Sequence, residues 1–228
     1  MERHRRRGGR VRVRVRPFSS VSNISTISIA VATLVALLCG AWLLHSGAKT
    51  HAPPQPSAAQ ARAGGHVDRP AAAALPHSPP ARVRIPSIRV DAPLMGLGLS
   101  PQGSLDVPPA ARKNLAGWYE AGTAPGEKGT AIVAGHVDNA EGPAVFYRLG
   151  ALRKGSTIEV GRRDGSVALF SVDTVEVYDA RDFPDEKVYG AAGRPELRVI
   201  TCGGGYSAGT GYQGNVVVFA HLTGSRRS

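Results

Sequence analysis

Residues 197–204 read Leu197-Arg198-Val199-Ile200-Thr201-Cys202-Gly203-Gly204, and this run decides both the fold class and the chemistry that the sequence predicts. It places a cysteine at the end of an apolar β-type stretch, directly before two flexible glycines. Cys202 is the only cysteine in the part of the chain expected to fold, because Cys39 lies within a separate hydrophobic run. A lone thiol cannot pair within its own domain, so it is either a small buried hydrophobe or a nucleophile.

Similar short β-type runs continue on both sides of this stretch, separated by Gly, Pro, Asp or Ser. Many short strands with turn signals predict a closed all-β sheet, and the one helix that we expect covers residues 144–149. The expected strands lie around residues 83–90, 115–119, 130–134, 157–160, 167–177, 197–201 and 215–220.

The excess positive charge of the chain is confined to its N-terminus. The formal net charge is +11, but residues 1–16 hold eight arginines against one acidic residue. From residue 81 onward, 17 basic residues face 15 acidic ones, which leaves the folded part nearly balanced. Binding a nucleic-acid backbone usually needs a basic face on the folded domain, and here the positive charge lies only in the tail. We therefore expect no nucleic-acid partner.

An uncharged run, residues 24–45, follows the basic tail and is long enough to span a bilayer core of roughly 30 Å. We expect it to be an uncleaved transmembrane signal anchor rather than a cleaved signal peptide, whose apolar core is shorter. The preceding arginines place the N-terminus in the cytoplasm and all later residues outside the plasma membrane. The expected organisation is a tail (1–23), an anchor (24–45), an Ala/Pro-rich extracellular linker (46–80), a catalytic domain (81–223) and a C-terminal tail (224–228).

Two side chains of the expected domain form a candidate reactive pair. His136 and Cys202 each follow an apolar strand, and strand ends are where functional side chains gather. A neighbouring imidazolium helps a thiol to ionise near neutral pH. The two residues meet only if their strands are neighbours in the sheet, so a buried thiol with an unrelated surface histidine remains an alternative.

Several motifs, taken in order, resemble the sortases, which are membrane-anchored cysteine transpeptidases of Gram-positive bacteria. The run Ile200-Thr201-Cys202-Gly203 looks like their Thr-Cys signature, and Ala134-Gly135-His136 looks like their histidine motif. Further runs look most like the actinobacterial class F sortases. These are Ile85-Pro86-Ser87-Ile88, Gly117-Trp118-Tyr119, Phe146-Tyr147-Arg148-Leu149, Thr201-Cys202-Gly203-Gly204 and Asn215-Val216-Val217-Val218-Phe219-Ala220.

The resemblance implies an eight-stranded β-barrel with short helical connections and a transpeptidase activity. Cys202 would attack the Thr–Gly carbonyl of an LPXTG-like sorting signal in a secreted protein, with His136 as the general acid/base. A thioacyl-enzyme would then be resolved by an amine of a cell-wall precursor. Thr201, Gly203 and Asp138 are candidate substrate contacts. No metal or cofactor is implied.

The sequence departs from the family pattern at one catalytic position. Sortases have an arginine at the start of the last strand that stabilises the oxyanion, whereas this strand begins at Asn215. Asn215 is therefore the candidate oxyanion donor in place of arginine, and Gln213 is a second amide nearby. A backbone N–H near Gly203 and an arginine from a loop (Arg112, Arg148 or Arg181) are the alternatives that stay open. Arg198 lies on the same strand face as Cys202 but roughly 13 Å along it.

The missing arginine keeps a second function open, a catalytically weak domain that binds or scaffolds at the cell wall. A third alternative is another wall-acting cysteine transpeptidase, the L,D-transpeptidase type, but the Ser-His-Gly-Cys run of that class is absent. The sequence leaves open the sorting motif, the identity of the amine and the oligomeric state.

Overall fold

The computed structural model describes residues 52–57 and 72–227. Ten strands, two short 3₁₀ helices (Pro86–Ile88 and Leu149–Ala151) and one α-helix lie within them. The strands and the helix are β1 (Pro80–Ile85), β2 (Val90–Leu97), β3 (Ala116–Tyr119), β4 (Gly129–Gly135), β5 (Asp138–Asn139), β6 (Gly142–Pro143), β7 (Thr157–Arg162), β8 (Ser166–Asp179), α1 (Asp185–Tyr189), β9 (Pro195–Ser207) and β10 (Gly211–Arg227).

Eight of these described strands close a barrel in the order β1-β2-β3-β4-β9-β10-β8-β7, and β5 and β6 form a separate two-stranded ribbon. Neighbouring barrel strands are antiparallel except for two parallel pairs, β2 with β3 and β4 with β9. The prediction of a closed, eight-stranded all-β barrel is confirmed. Closure leaves no unpaired sheet edge, which suits a domain built almost entirely from strands.

Successive side chains along the strands alternate between the barrel interior and an apolar patch on its outer face. In β9, Leu197 and Val199 belong to the interior core, whereas Ile200 belongs to the outer cluster. The outer cluster consists of Ile132, Val188, Ile200, Val217 and Phe219. Because successive side chains of a strand point to opposite faces, the same sheet serves both clusters.

The helix α1 contributes to the cover of that outer patch, because its Val188 is fully buried there. The sequence prediction of a helix over residues 144–149 is wrong. Hydrogen bonds from Tyr147 N to Ala144 O and from Leu149 N to Phe146 O form turns that lead into the 3₁₀ helix Leu149–Ala151. The helical run was too short to fix its own conformation without tertiary contacts.

The last part of the predicted linker runs along the barrel. Leu75 N donates to Gly126 O at 2.9 Å, and Ser78 Oγ accepts a hydrogen bond from Asp164 N at 3.1 Å. The predicted anchor, residues 24–45, lies outside the described residues. In residues 52–57 and 72–227, no helix is long and apolar enough to cross a membrane.

Candidate active site

Cys202 lies on the outer surface of the barrel, in the middle of β9. Thr201 before it is 4% exposed and points inward, so Cys202 points outward, and its thiol is free and exposed. The expectation that Cys202 ends its strand is wrong, because β9 continues to Ser207 and pairs with β10. The glycines that suggested a strand end instead permit close pairing: a Cβ on Gly203 would lie 2.5 Å from Val216 Cγ2.

The parallel pairing of β4 with β9 brings His136 next to Cys202. Every paired position in this ladder is 66 residues apart, as in Ala134 with Ile200, and 136 and 202 share that spacing. Thr201 Oγ1 donates to Gly135 O at 2.8 Å, which continues the contact one position beyond the ladder. Continuing this register past the end of β4 at Gly135 pairs position 136 with position 202, which brings the His136 segment toward Cys202.

A backbone carbonyl holds the His136 ring. Pro108 O accepts a hydrogen bond from His136 Nε2 at 2.6 Å, so Nε2 carries the hydrogen. Nδ1 is then the ring nitrogen that remains for proton exchange. Within the part of the chain that the structure describes, no hydrogen bond joins this ring to the thiol. Catalytic contacts often shorten only when substrate is bound.

The environment keeps the Cys202 thiol protonated at rest. Partial loss of hydration against the barrel wall, and then the negative charge of Asp138, raise the pKa of Cys202, while a backbone hydrogen bond lowers it. A thiol with a raised pKa needs a base to become a nucleophile.

Asp138 is in turn held by a residue that the sequence reasoning missed. Tyr212 Oη donates to Asp138 Oδ2 at 2.5 Å, across 74 residues of sequence. Burial, followed by this hydrogen bond, raises the pKa of Tyr212, so the phenol stays protonated and remains a donor. Tyr212 precedes Asn215 by three residues, but only the β9–β10 hairpin shows that it reaches the histidine segment.

Asn215 is the direct cross-strand partner of Cys202 in the antiparallel β9–β10 pair. Directly opposed residues share a face and have Cβ atoms about 4.5–5.5 Å apart. Its half-buried amide therefore lies on the outer face beside the thiol. Of the three candidate substrate contacts, Thr201 and Gly203 flank Cys202 in β9 and are buried, and Asp138 is near enough to affect the pKa of Cys202.

The arginines nearest in sequence have other partners. Arg198 donates to Glu196 at 2.7 Å and stacks 4.5 Å from the centre of the Phe219 ring. Arg226, near the far end of β10, pairs with Glu159 at 2.9 Å. No other arginine follows Cys202 except Arg227, which is next to Arg226. The position opposite the Cys202 thiol is therefore occupied by the amide of Asn215, not by the arginine of the family pattern.

The comparisons with known proteins agree with the barrel and the residues gathered on it. The Sortase domain family model matches residues 83–223, more than half of the chain. The chain belongs to the sortase family, whose members are transpeptidases that act on secreted proteins carrying sorting signals. No curated protein matches the sequence.

Solved sortase structures share the fold. Sortase A of Listeria monocytogenes is 17% identical, with 67% of this chain and 92% of that chain covered and a TM-score of 0.50. A lid mutant of sortase A from Corynebacterium diphtheriae is 18% identical, with 65% of this chain and 73% of that chain covered and a TM-score of 0.50. At these identities the likeness shows the fold alone.

Proposed function

We propose that this protein is a membrane-anchored sortase that joins secreted proteins bearing an LPXTG-like sorting signal to an amine of the cell wall. The proposal is supported by the parallel register of β4 with β9, which leads from the end of β4 at Gly135 to His136 beside the Cys202 segment, and by Asn215, which lies opposite Cys202 in β10. A nucleophile, a base and a hydrogen-bond donor on one open face are the parts that acyl transfer needs.

The first half-reaction forms a thioester. His136 takes the thiol proton as Cys202 Sγ bonds to the carbonyl carbon of the Thr–Gly peptide bond. The tetrahedral intermediate then collapses, the C–N bond breaks, and the imidazolium gives its proton to the leaving amine. The raised pKa of Cys202 makes this base step necessary.

The second half-reaction reverses the roles. The acceptor amine attacks the thioester carbonyl and gives its proton to His136, a new C–N bond forms, and the C–S bond breaks. The departing sulfur recovers the proton from the imidazolium. The thioester retains the reactivity of the acyl group, so an amine can complete the transfer.

Both half-reactions place negative charge on the carbonyl oxygen. We assign its stabilisation to the side-chain amide of Asn215, which lies on the same face of the sheet as Cys202. A neutral donor replaces the charged guanidinium of the family pattern. Losing a single oxyanion donor typically lowers kcat by about 10²- to 10³-fold.

The class and the location form part of the same proposal. The Ile85-Pro86-Ser87-Ile88 and Gly117-Trp118-Tyr119 runs support membership of the actinobacterial class F sortases. The basic tail and the apolar run at residues 24–45 support a single-pass plasma-membrane protein with a cytoplasmic N-terminus and an extracellular catalytic domain.

The test uses the full chain in detergent with a quenched LPXTG peptide and triglycine. We expect a ligated product from the wild type and none from Cys202→Ala or His136→Gln. His77→Gln is the matched control, because this histidine is 61% exposed and pairs with Glu127. It should leave the rate unchanged.

Two results would contradict the proposal. Peptide binding without turnover by the wild type favours the scaffold function that the missing arginine left open. Cleavage of a peptidoglycan stem peptide instead of the LPXTG peptide indicates a different wall-acting transpeptidase.

A further inference from the structure

The loop that holds the His136 ring is itself tied to the histidine segment, residues 136–143. This Pro108 loop, residues 98–115, connects β2 to β3 and supplies Pro108 O, which accepts the hydrogen bond from His136 Nε2 at 2.6 Å. A catalytic imidazole needs a partner on its second ring nitrogen, because that partner fixes the orientation of the ring and the nitrogen that carries the hydrogen. A backbone carbonyl serves as this partner only if the loop that bears it is held in place.

The sequence stiffens the Pro108 loop at the carbonyl itself. Pro108 is followed by a second proline, Pro109, and each ring fixes the φ angle of its own residue. Val107 and Pro108 both precede a proline, which restricts their ψ angles as well. Directly afterwards, Arg112 N donates to Pro109 O at 2.9 Å and closes a turn. Few free torsions therefore set the direction of the Pro108 carbonyl, and its position depends on what holds this turn.

Asn139 joins that turn to the residues that follow His136. Its side-chain Nδ2 donates to Ala110 O, two residues after Pro108, at 2.7 Å, and its Oδ1 accepts a hydrogen bond from Glu141 N at 2.9 Å. Asn139 lies in β5, three residues after His136. One side chain thus connects the loop that carries the hydrogen-bond acceptor to the segment that carries the imidazole.

A second contact joins the same two segments, but it depends on exposed charges. Lys113 Nζ lies 2.9 Å from Glu141 Oε2 and donates to Glu141 O at 3.3 Å. The Glu141 side chain is 71% exposed, and ion pairs in water are weakened by solvent and salt. We therefore expect the short hydrogen bond of Asn139 to hold the loop more firmly than this ion pair does.

We propose that Asn139 is a positioning residue for the sortase reaction and acts through the Pro108 loop on the His136 imidazole. By fixing the Pro108 carbonyl, Asn139 keeps the hydrogen on Nε2 and leaves Nδ1 to take the thiol proton. Once Nδ1 has taken that proton, the same carbonyl accepts a hydrogen bond from a positively charged ring, which strengthens the bond. The catalytic part of this inference rests on the proposed function, whereas the effect of Asn139 on the ring is measurable without a ligation assay.

The first measurement is the NMR spectrum of the full chain in detergent with isotope-labelled histidines. The His136 signals are identified by their loss in His136→Gln. In the wild type we expect an Nε2–H proton that is protected from exchange with water, because it is donated to Pro108 O. Asn139→Asp keeps the acceptor for Glu141 N but removes the donor to Ala110 O, so it should abolish this protection. An unprotected proton in the wild type, or unchanged protection in Asn139→Asp, overturns the inference.

Asn139→Ala separates the lost hydrogen bond from the added charge. It removes both bonds of the side chain without introducing a carboxylate, and it should lose the protected proton as Asn139→Asp does. Protection that persists in Asn139→Ala would assign the effect of Asn139→Asp to its charge and would overturn the inference. Circular dichroism of each variant distinguishes a displaced ring from a lost fold.

Asn114→Ala is the matched control. Asn114 Nδ2 donates to Asp91 O at 2.9 Å, so this amide ties the same loop to β2 and not to the histidine segment. The variant loses the same kind of bond from the same loop and should keep the protected Nε2–H proton. Loss of protection in Asn114→Ala equal to that in Asn139→Ala would overturn the assignment to Asn139.

The second measurement is LPXTG peptide ligation at saturating triglycine, with kcat and KM determined separately. Asn139→Asp should lower kcat by at least about tenfold, because misplacing a catalytic group by about 1 Å costs up to about 10²-fold, and should leave KM within about twofold. A side chain that only shaped the turn between β5 and β6 would give wild-type kcat in this variant, since the bond from Glu141 N is retained. Wild-type kcat in Asn139→Asp, or a larger loss in Lys113→Gln, overturns the inference.

The two measurements separate this inference from the proposed function. If the wild type ligates no peptide but Asn139→Asp loses the protected proton, the proposed function fails and the control of the His136 ring by Asn139 stands. If the wild type ligates the peptide and Asn139→Asp keeps both its kcat and the protected proton, the proposed function stands and this inference fails.

Discussion

Tyr212 Oη donates a 2.5 Å hydrogen bond to Asp138 Oδ2 and so connects the start of β10 to the residues that follow His136. The contact fixes the one carboxylate whose charge raises the pKa of Cys202. The reactivity of the thiol is thus coupled to a hairpin residue that is ten positions away in sequence. This coupling can be measured through the ionisation of the thiol.

Asp138→Asn should lower the pKa of Cys202. The negative charge of Asp138 disfavours the thiolate, so a neutral amide of the same shape removes that penalty. The rate of alkylation by iodoacetamide, followed against pH, should reach its midpoint at a lower pH than in the wild type. Asp164→Asn, which replaces a carboxylate bonded to Ser166, should leave the midpoint unchanged. A midpoint that rises in Asp138→Asn would contradict the assignment.

Tyr212→Phe should move the same midpoint in the opposite direction. Loss of the donated hydrogen bond leaves the charge of Asp138 less screened, which further disfavours the thiolate. Tyr206→Phe is the control, because the Tyr206 ring lies 5.1 Å from the Tyr212 ring. Loss of the Tyr206 hydroxyl leaves the hydrogen bond from Tyr212 to Asp138 intact. Equal shifts in both variants would show that the hydrogen bond from Tyr212 to Asp138 is not the cause.

Asn215→Ala should lower kcat/KM for LPXTG peptide ligation by about 10²-fold, as expected for the loss of an oxyanion donor. Gln213→Ala tests the other amide that the sequence offered. Gln213 is exposed and packs near Gly205, so its removal should change the rate by less than about threefold. A larger loss in Gln213→Ala than in Asn215→Ala would reverse the assignment. Asn215→Arg restores the charged donor of the family pattern and should raise the rate.

Gly203→Ala should destabilise the fold by about 1–3 kcal/mol, because the added methyl would overlap β10. Its Cβ would lie 2.5 Å from Val216 Cγ2 and 3.2 Å from Val216 N. Gly209→Ala, where a Cβ meets nothing within 4 Å, is the control and should stay within about 0.5 kcal/mol. Chemical denaturation measures both values. Equal stability of the two variants would show that β9 and β10 pair less closely than described.

Local patterns in the sequence predicted most of the barrel strands, because the alternation of apolar and polar residues reports which face is buried. They merged β1 with the start of β2 and missed the short ribbon of β5 and β6. They also singled out Cys202 and His136 as the chemically distinctive side chains. The same local patterns placed the end of β9 too early, at the glycines. These glycines pack closely against β10, which lies later in the sequence. Nothing within residues 197–204 therefore reveals that β9 continues through them.

Residue types, the lone thiol and the absence of an arginine at position 215 were therefore settled by the amino-acid order alone. Which of these residues lie next to each other was decided only by closure of the barrel. The 66-residue register between β4 and β9 and the 74-residue contact of Tyr212 with Asp138 follow from burying apolar side chains on both faces of one sheet. Pairing of distant strands depends on the summed packing of the whole barrel, and no local run carries that information.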